Sequence, residues 1–121
     1  MGKIVVLEDE PEILDNLILM LEFAEHDVYG ALNGGDGLAL IREHRPDVII
    51  SDIIMPDMTG YDVIREVKKD DELENCRVLF VSARTMEEDI ERGLNEGADA
   101  YITKPFTVDE LLKMVERLLS A

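Results

Sequence analysis

The sequence predicts an α/β fold of the doubly wound (βα)5 class, with a five-stranded parallel sheet that helices cover on both sides. Five short runs of β-branched and other apolar residues recur at fairly even intervals, and helical patterns lie between them. Three of these runs are nearly continuous in Val, Ile and Leu, which is typical of strands covered on both faces. A chain of 121 residues can bury a sizeable core, so we expect one domain over residues 1–121.

The first half of the chain contributes three predicted strands and the two helices between them. In order, these are strand 3–7 (KIVVL), helix 11–25, strand 27–32 (DVYGAL), helix 35–45 and strand 47–51 (DVIIS). Pro11 is favoured in the first turn of a helix, where its missing N–H has no partner to lose. Together with Gly37, it marks where a strand pattern gives way to a helical one.

The second half of the chain repeats the alternation of helix and strand. In order, its predicted elements are helix 60–69, strand 77–82 (RVLFVS), helix 86–96, strand 100–103 (AYIT) and helix 107–119. Gly60 and Gly97 mark helix boundaries, and Thr107 with Glu110 has the spacing of a capping box. Right-handed crossovers leave few ways to order five such strands, of which 2-1-3-4-5 is the commonest.

The charge of the chain restricts its partners. It has 12 basic and 28 acidic side chains, a net charge of −16, and no Lys or Arg between residues 4 and 41. Such a surface repels nucleic-acid backbones and anionic lipid, and it favours basic partners or cations. No apolar stretch is long enough to span a bilayer, and the single cysteine, Cys76, cannot form an internal disulfide. We therefore expect a cytoplasmic protein that binds neither nucleic acid directly nor membranes.

Polar side chains follow several of the predicted strands. Glu8 and Asp9 follow the first strand, Asp52 follows the third, Ser82 ends the fourth and Lys104 follows the fifth. Each residue has an ordinary explanation as a turn, cap or solvent-exposed group. In a parallel sheet, however, ligands bind beyond the carboxyl ends of the strands, so all five groups should converge at one edge.

The charges of this group predict a cation. Glu8, Asp9 and Asp52 contribute three negative charges and Lys104 one positive charge, so like charges must either protonate or recruit a metal ion. Oxygen ligands in a half-open site suit Mg²⁺. A metal ion beside Lys104 would neutralise the oxygens of a phosphoryl group, and Asp52 is then a candidate carboxylate nucleophile.

Four motifs that contain these residues resemble those of response-regulator receiver domains, the phosphoacceptor modules of two-component signalling. They are VLEDE (6–10), SDIIMPDMTG (51–60), VSA (81–83) and GADAYITKPF (97–106). The resemblance covers the whole chain and implies the flavodoxin-like fold of chemotaxis regulators.

Within that family, the ED and ITKPF sequences are most similar to receivers of winged-helix transcription factors. Those receivers have Asp-Asp where this chain has Asp99-Ala100. They also have an arginine near the position of Met114, at a dimer interface, and both features are missing here. We therefore expect a monomer or weak dimer, either a single-domain regulator or an excised receiver.

The resemblance implies a role for each residue of the site. Asp52 would accept a phosphoryl group from a histidine kinase or a histidine phosphotransfer protein. Asp9, Asp52 and the backbone carbonyl of Ile54 would bind Mg²⁺, and Glu8 would contribute through water. Ser82 would hydrogen-bond the phosphoryl group and Lys104 would pair with it, next to a cis peptide bond between Lys104 and Pro105.

The resemblance also implies an output, a docking site and a lifetime for the phosphorylated state. Tyr101 would turn inward with Ser82, changing the surface of helix 86–96, strand 100–103 and helix 107–119 toward a downstream protein partner. Leu14 and Ile18, outside a core stripe of the first helix, would dock the phosphodonor. Ile54 and Arg84 would flank the line of attack by water and make the phosphorylated state long-lived. Helical spacing predicts that this core stripe consists of five residues: Ile13, Leu17, Met20, Leu21 and Ala24. We also expect both histidines, His26 and His44, at the surface.

Other functions fit the sequence less well. A haloacid-dehalogenase-like phosphatase needs a second Asp two residues after the nucleophile, where Ile54 stands. A flavodoxin-like cofactor carrier needs a Gly-rich or hydroxyl-rich phosphate loop after the first strand, which is missing. We expect a phosphoacceptor that promotes its own phosphotransfer and slow dephosphorylation, not an enzyme. A receiver-like adaptor that acts without phosphorylation is the alternative.

Overall fold

The strands form one parallel sheet in the order β2-β1-β3-β4-β5, as predicted. The computed structural model describes residues 2–83 and 87–120. The strands are β1 (Lys3–Leu7), β2 (Asp27–Ala31), β3 (Val48–Ser51), β4 (Arg77–Ser82) and β5 (Ala100–Thr103). The helices are α1 (Pro11–Phe23), α2 (Gly34–His44), α3 (Gly60–Lys69), α4 (Glu87–Asn95) and α5 (Val108–Leu119). The sequence did not predict the short 3-10 helix Asp71–Leu73.

Apolar side chains fill both faces of the sheet, because successive residues of a strand point to opposite sides. On β1, Val5 and Leu7 belong to the cluster that packs beneath α2 and α3. Ile4 and Val6 belong to the opposite cluster, which contains the buried residues of α1 and α5. The sheet is therefore covered on both sides, and its carboxyl edge is left for polar residues.

Side chains and backbone conformations set the helix boundaries. Thr107 and Glu110 form the predicted capping box at the start of α5. A second capping box, between Thr59 and Asp62, begins α3 directly after the loop that follows β3. The first helix ends at Phe23, two residues earlier than predicted, and Glu25 beyond it has a left-handed φ of 69°. Such a residue stops a helix because its backbone cannot continue the right-handed turn.

His26 is buried, which contradicts the expected surface position. It is 5% exposed, and its Nδ1 accepts a hydrogen bond of 3.0 Å from the backbone N–H of Gly2. The residue precedes edge strand β2, where α1, α5 and the start of β1 meet, so its ring completes the lower end of the core. His44 keeps 22% of its side chain exposed and stacks on Tyr29 at a centroid distance of 3.8 Å.

None of the helices within residues 2–83 and 87–120 has both the length and the apolar character needed to cross a membrane.

Candidate functional site

Three carboxylates meet at the carboxyl edge of the sheet. Glu8 and Asp9 directly follow β1, and Asp52 directly follows the neighbouring strand β3. The backbone N–H of Asp52 donates to the carbonyl of Leu7 at 3.0 Å, so the ladder of hydrogen bonds continues to Asp52 itself. One carboxylate oxygen of each acidic residue lies within 4.8 Å of the others. These are hard oxygen donors at a spacing that one divalent cation could bridge.

Lys104 closes the group from the end of β5. Its Nζ donates hydrogen bonds to Glu8 Oε1 at 2.8 Å and to Asp52 Oδ2 at 3.2 Å. Its backbone N–H donates to the carbonyl of Ser82 at 2.8 Å, and the following Lys104–Pro105 peptide bond is cis, as the resemblance implied. The ammonium therefore bridges one expected metal ligand and the expected phosphoacceptor.

Burial and charge act in opposite directions on these groups. The Glu8 side chain is 2% exposed, and this burial raises the pKa of its carboxyl group above the ordinary value despite the hydrogen bonds from Lys104 and Glu10. For Lys104, burial opposes the charged form, but the hydrogen bond to Glu8 and the charges of Asp52 and Glu8 together raise its pKa. Lys104 therefore carries its positive charge at neutral pH.

The backbone around Asp52 fixes the direction of its carboxylate. Oδ1 accepts a hydrogen bond of 2.7 Å from the N–H of Ile53, which leaves Oδ2 toward Lys104. Gly60 closes the loop, because its N–H donates to the carbonyl of Ile53 at 2.7 Å. A Cβ at Gly60 would lie 2.6 Å from the carbonyl oxygen of Asp52, so no larger residue fits without moving Asp52.

The loop after Asp52 alternates between buried and exposed side chains. Met55 is 7% exposed and packs in the core, whereas Ile54 is 53% exposed. Ile54 thus presents an apolar side chain to solvent two residues after Asp52. Arg84, the other residue expected to set the lifetime, lies outside the described residues.

The expected switch residues lie on two paired strands. Ser82 is buried at the end of β4, and Tyr101 on β5 is half-buried beside Phe80. The rings of Phe80 and Tyr101 meet edge to face, with centroids 6.4 Å apart. A Cβ at Gly93 of α4 would lie 3.1 Å from both rings, so the glycine lets α4 approach them closely. A movement of Tyr101 would therefore change its packing against α4.

The predicted docking pair on α1 is not an exposed pair. Leu14 is 6% exposed and belongs to the core beneath α1 and α5, and Ile18 is half-buried. A Cβ at Gly30 would lie 2.6 Å from Ile18 and 3.0 Å from Leu14, so both side chains pack against β2. The buried stripe of the helix is Leu14, Leu17 and Leu21, rotated toward β2 from the predicted one.

The opposite flank of α1 lies toward the segment that follows β5. Ile13 and Met20, which were predicted to be core residues, are half-buried and line a groove of about 230 Å³ with Lys104, Pro105 and Phe106. The sequence analysis missed this groove. Lys104, whose ammonium contacts Asp52, lines this groove together with the apolar side chains.

Comparisons with known proteins agree with this geometry. The profile described as "Response regulator receiver domain" matches residues 4–116. Protein PilH of Pseudomonas aeruginosa is 38% identical over 120 residues, which cover 99% of each chain. The DNA-binding dual master transcriptional regulator RpaA of Synechocystis is 36% identical over 98% of this chain, which spans only 49% of RpaA.

A solved structure supports the same relationship. Chemotaxis protein CheY4 of Vibrio cholerae superposes with a TM-score of 0.91 at 31% sequence identity, and the match covers 98% of both chains. The acidic edge, the strand order and these similarities agree: the chain belongs to the response regulator receiver domain family of two-component signalling.

Proposed function

We propose that this receiver domain is a phosphorylation-activated signalling switch in which Asp52 accepts a phosphoryl group from a histidine kinase or a histidine phosphotransfer protein. The observation that carries the proposal is the position of the Asp52 carboxylate, within 4.8 Å of donor oxygens of Glu8 and Asp9 and 3.2 Å from the Lys104 ammonium. A cytoplasmic location is part of this proposal.

The donor set fits Mg²⁺. Asp9, Asp52 and the backbone carbonyl of Ile54 would hold the ion directly, and Glu8 would hold it through water. Bound there, Mg²⁺ would supply the positive charge that neutralises the phosphoryl oxygens. Glu8 already anchors Lys104 at 2.8 Å, so the ammonium is placed to pair with the same oxygens.

The transfer exchanges one bond to phosphorus for another. An oxygen of Asp52 attacks the phosphorus, the bond from phosphorus to the histidine nitrogen breaks, and the electron pair stays on that nitrogen, which takes a proton from solvent. The product is an acyl phosphate on Asp52 and a neutral imidazole. Asp52 is consumed as an acceptor, so the domain promotes its own modification and is not an enzyme acting on other substrates.

The apolar groove beside Lys104 supports the docking of the phosphodonor. Ile13 and Met20 on one side, with Pro105 and Phe106 on the other, offer an apolar surface in a groove that Lys104 also lines. A helical bundle that carries a phosphohistidine could lay an apolar stripe along this groove. That placement would bring the phosphorus to Asp52 without unfolding any part of the receiver.

The face formed by α4, β5 and α5 suits a downstream protein partner. A groove of about 410 Å³ lies there, lined by Tyr101, Thr103, Lys113 and Met114 among others. Ser82 and Tyr101 would link this face to the phosphoryl group, with Gly93 carrying the movement into α4. Phosphorylation would then shift a balance between two existing arrangements of this face.

Labelling with a small phosphodonor tests the proposed function. We expect incubation with acetyl phosphate and Mg²⁺ to add one phosphoryl group per chain, as measured by intact mass, and EDTA to prevent the addition. Mg²⁺ is required because three carboxylates against one ammonium repel an approaching phosphate dianion. A chain that gains no mass at saturating Mg²⁺ would exclude the proposal.

One observation favours the alternative, an adaptor that acts without phosphorylation. Lys104 pairs with Glu8 and Asp52, so part of the negative charge is neutralised by the chain itself. The same labelling experiment separates the two functions, because an adaptor would remain unmodified under conditions that label a phosphoacceptor.

The side chain at position 54 gives a prediction for the lifetime of the phosphorylated state. Hydrolysis needs a water in line with the bond between Asp52 and phosphorus, and Ile54 has no group to orient it. We expect Ile54→Asn to speed dephosphorylation about tenfold, if one oriented water lowers the barrier by about 1.4 kcal/mol. The measurement is the decay of the phosphorylated protein in Mg²⁺ buffer.

A matched variant separates two effects of Ile54. Ile54→Ala removes the apolar shield without adding a hydrogen-bonding group, so it should speed the decay less than Ile54→Asn. Equal decay rates for the parent and Ile54→Asn would show that this side chain does not set the lifetime.

A further inference from the structure

Asp57 joins the loop after the phosphoacceptor to the start of α2. Its Oδ1 accepts a hydrogen bond of 2.9 Å from the N–H of Gly34, and its Oδ2 accepts one of 2.8 Å from the N–H of Gly35. These are the first two residues of α2. The first N–H groups of a helix have no partner within it, so the carboxylate satisfies two donors that would otherwise face solvent.

The helix has its own N-cap, which makes the contribution of Asp57 separable. Asn33 precedes α2, and its side-chain oxygen accepts a hydrogen bond of 2.8 Å from the N–H of Asp36. Asn33 is local to the helix, whereas Asp57 lies 23 residues further along the chain than Gly34. Asn33 therefore stabilises only the helix, whereas Asp57 also links the helix to the loop between β3 and α3.

The loop is held closely against the helix. A Cβ at Gly34 would lie 2.2 Å from Met58 Cγ, and a Cβ at Gly35 would lie 3.2 Å from Asp57 Oδ2. Glycine at both positions therefore allows the contact. The two backbone hydrogen bonds lower the pKa of the Asp57 carboxyl below its ordinary value, so the Asp57 carboxylate is ionised at neutral pH.

The tied loop is the one that contains the expected metal-binding carbonyl. Ile54 lies two residues after Asp52 and three before Asp57, and its exposed side chain does not anchor it. The loop is held on both sides of Ile54: Met55 is buried in the core, and the Asp57 side chain is bonded to the start of α2. A backbone carbonyl binds a metal best when the loop that carries it is already ordered, because no ordering entropy is then lost on binding.

We infer that Asp57 is a positioning residue for the metal site, holding the Ile54 carbonyl in place through its two hydrogen bonds to α2. The inference rests on the proposed function, since it requires Mg²⁺ at the acidic edge. Asp57 lies beyond the carboxylates that would touch the ion, and it acts through the backbone of the loop.

Two substitutions at position 57 separate the hydrogen bonds from the charge. Asp57→Ala and Asp57→Asn remove the same negative charge, but Asn keeps one oxygen that can accept from Gly34 or Gly35. We expect Asp57→Ala to weaken Mg²⁺ binding about tenfold, at the lower end for partners that orient metal ligands, and Asp57→Asn to recover part of the loss. Calorimetric titration with Mg²⁺ alone gives both dissociation constants.

Asn33→Ala is the control for general loss of helix capping. It removes a cap from the same helix without touching the loop, so it should lower the thermal midpoint but leave Mg²⁺ affinity unchanged. Labelling rates measured against Mg²⁺ concentration add a second readout. For Asp57→Ala the half-saturating Mg²⁺ concentration should rise, while the rate at saturation stays near that of the parent.

The outcomes distinguish this inference from the proposed function. Equal Mg²⁺ affinities for Asp57→Ala and Asp57→Asn would overturn the inference in favour of a charge effect, and a matching loss in Asn33→Ala would overturn it in favour of helix stability. A parent that binds Mg²⁺ yet accepts no phosphoryl group would exclude the proposed function, while the calorimetric comparison would still support or reject the role of Asp57. A parent that binds no Mg²⁺ would overturn both.

Discussion

Asp52→Asn is expected to abolish labelling by acetyl phosphate, leaving no phosphorylated species in the intact mass. The amide is nearly the same size as the carboxylate, and its one oxygen can still accept from the Ile53 N–H, whereas the hydrogen bond from the Lys104 ammonium to the second carboxylate oxygen is lost. The fold should therefore survive, as circular dichroism and the thermal midpoint would show. What is lost is the nucleophilic oxygen, because an amide does not form a stable acyl phosphate.

The neighbouring carboxylates provide the control for this prediction. Glu8 is 2% exposed and held by Lys104, so it cannot replace Asp52 as an acceptor. Asp9→Asn keeps the acceptor and removes one expected metal ligand. It should label slowly at low Mg²⁺ concentration and recover as the concentration rises. Labelling of Asp52→Asn to the extent of the parent would place the phosphoryl group on another residue.

Leu14→Ala should lower the free energy of unfolding by about 2–5 kcal/mol, a large part of the roughly 5–15 kcal/mol typical of a domain. Leu14 is 6% exposed between α1 and β2, and its removal would leave a cavity that the rigid sheet cannot close. Leu19, on the same helix, is 63% exposed, so Leu19→Ala should change stability by only about 0.5 kcal/mol. Urea denaturation of both variants measures the difference.

A third substitution on α1 separates docking from folding. Met20 lines the groove beside Lys104 and is only half-buried, so Met20→Asp should fold. It should accept phosphoryl groups more slowly from a phosphohistidine donor, while labelling by acetyl phosphate stays near the parent rate.

Little effect of Leu14→Ala on stability would mean that Leu14 is not the core residue its burial indicates.

The residues at the carboxyl edge of the sheet could be predicted because parallel strands place the residues that follow them at the same edge. Once strands 3–7 and 47–51 are parallel neighbours, Glu8 and Asp52 must lie side by side. The start of α5 could also be predicted, because the Thr107–Glu110 spacing is a local sequence pattern that marks a helix N-terminus. The Thr59–Asp62 box has the same spacing and the same mechanism, so the sequence could have shown it too.

The face of α1 could not be predicted because the helix is apolar on too many sides. Leucine, isoleucine or methionine occupies seven positions between 13 and 21, so periodicity alone allowed several rotations of the buried stripe. Packing against Gly30 decided between them, because the missing side chain on β2 leaves room for Leu14 and Ile18.

Contacts between distant segments were equally hidden in the sequence. The bonds from Gly34 and Gly35 to Asp57 cross 23 and 22 residues, and no local pattern indicates them. The burial of His26 likewise depends on which elements surround the start of β2. Such features follow from the assembled sheet, and local patterns in the sequence do not indicate them.

The bond between Glu8 and Lys104 joins residues 96 positions apart, so the pocket cannot exist in a partly synthesised chain. When Asp52 has left the ribosome, the three carboxylates of the site have been made but the ammonium has not. At about 5–20 residues per second, roughly 3–10 s pass before Lys104 follows. A nascent chain in that interval has Asp52 without the ammonium that pairs with it. Under the proposed function, competence to accept a phosphoryl group would therefore begin only once β5 and Lys104 have been made.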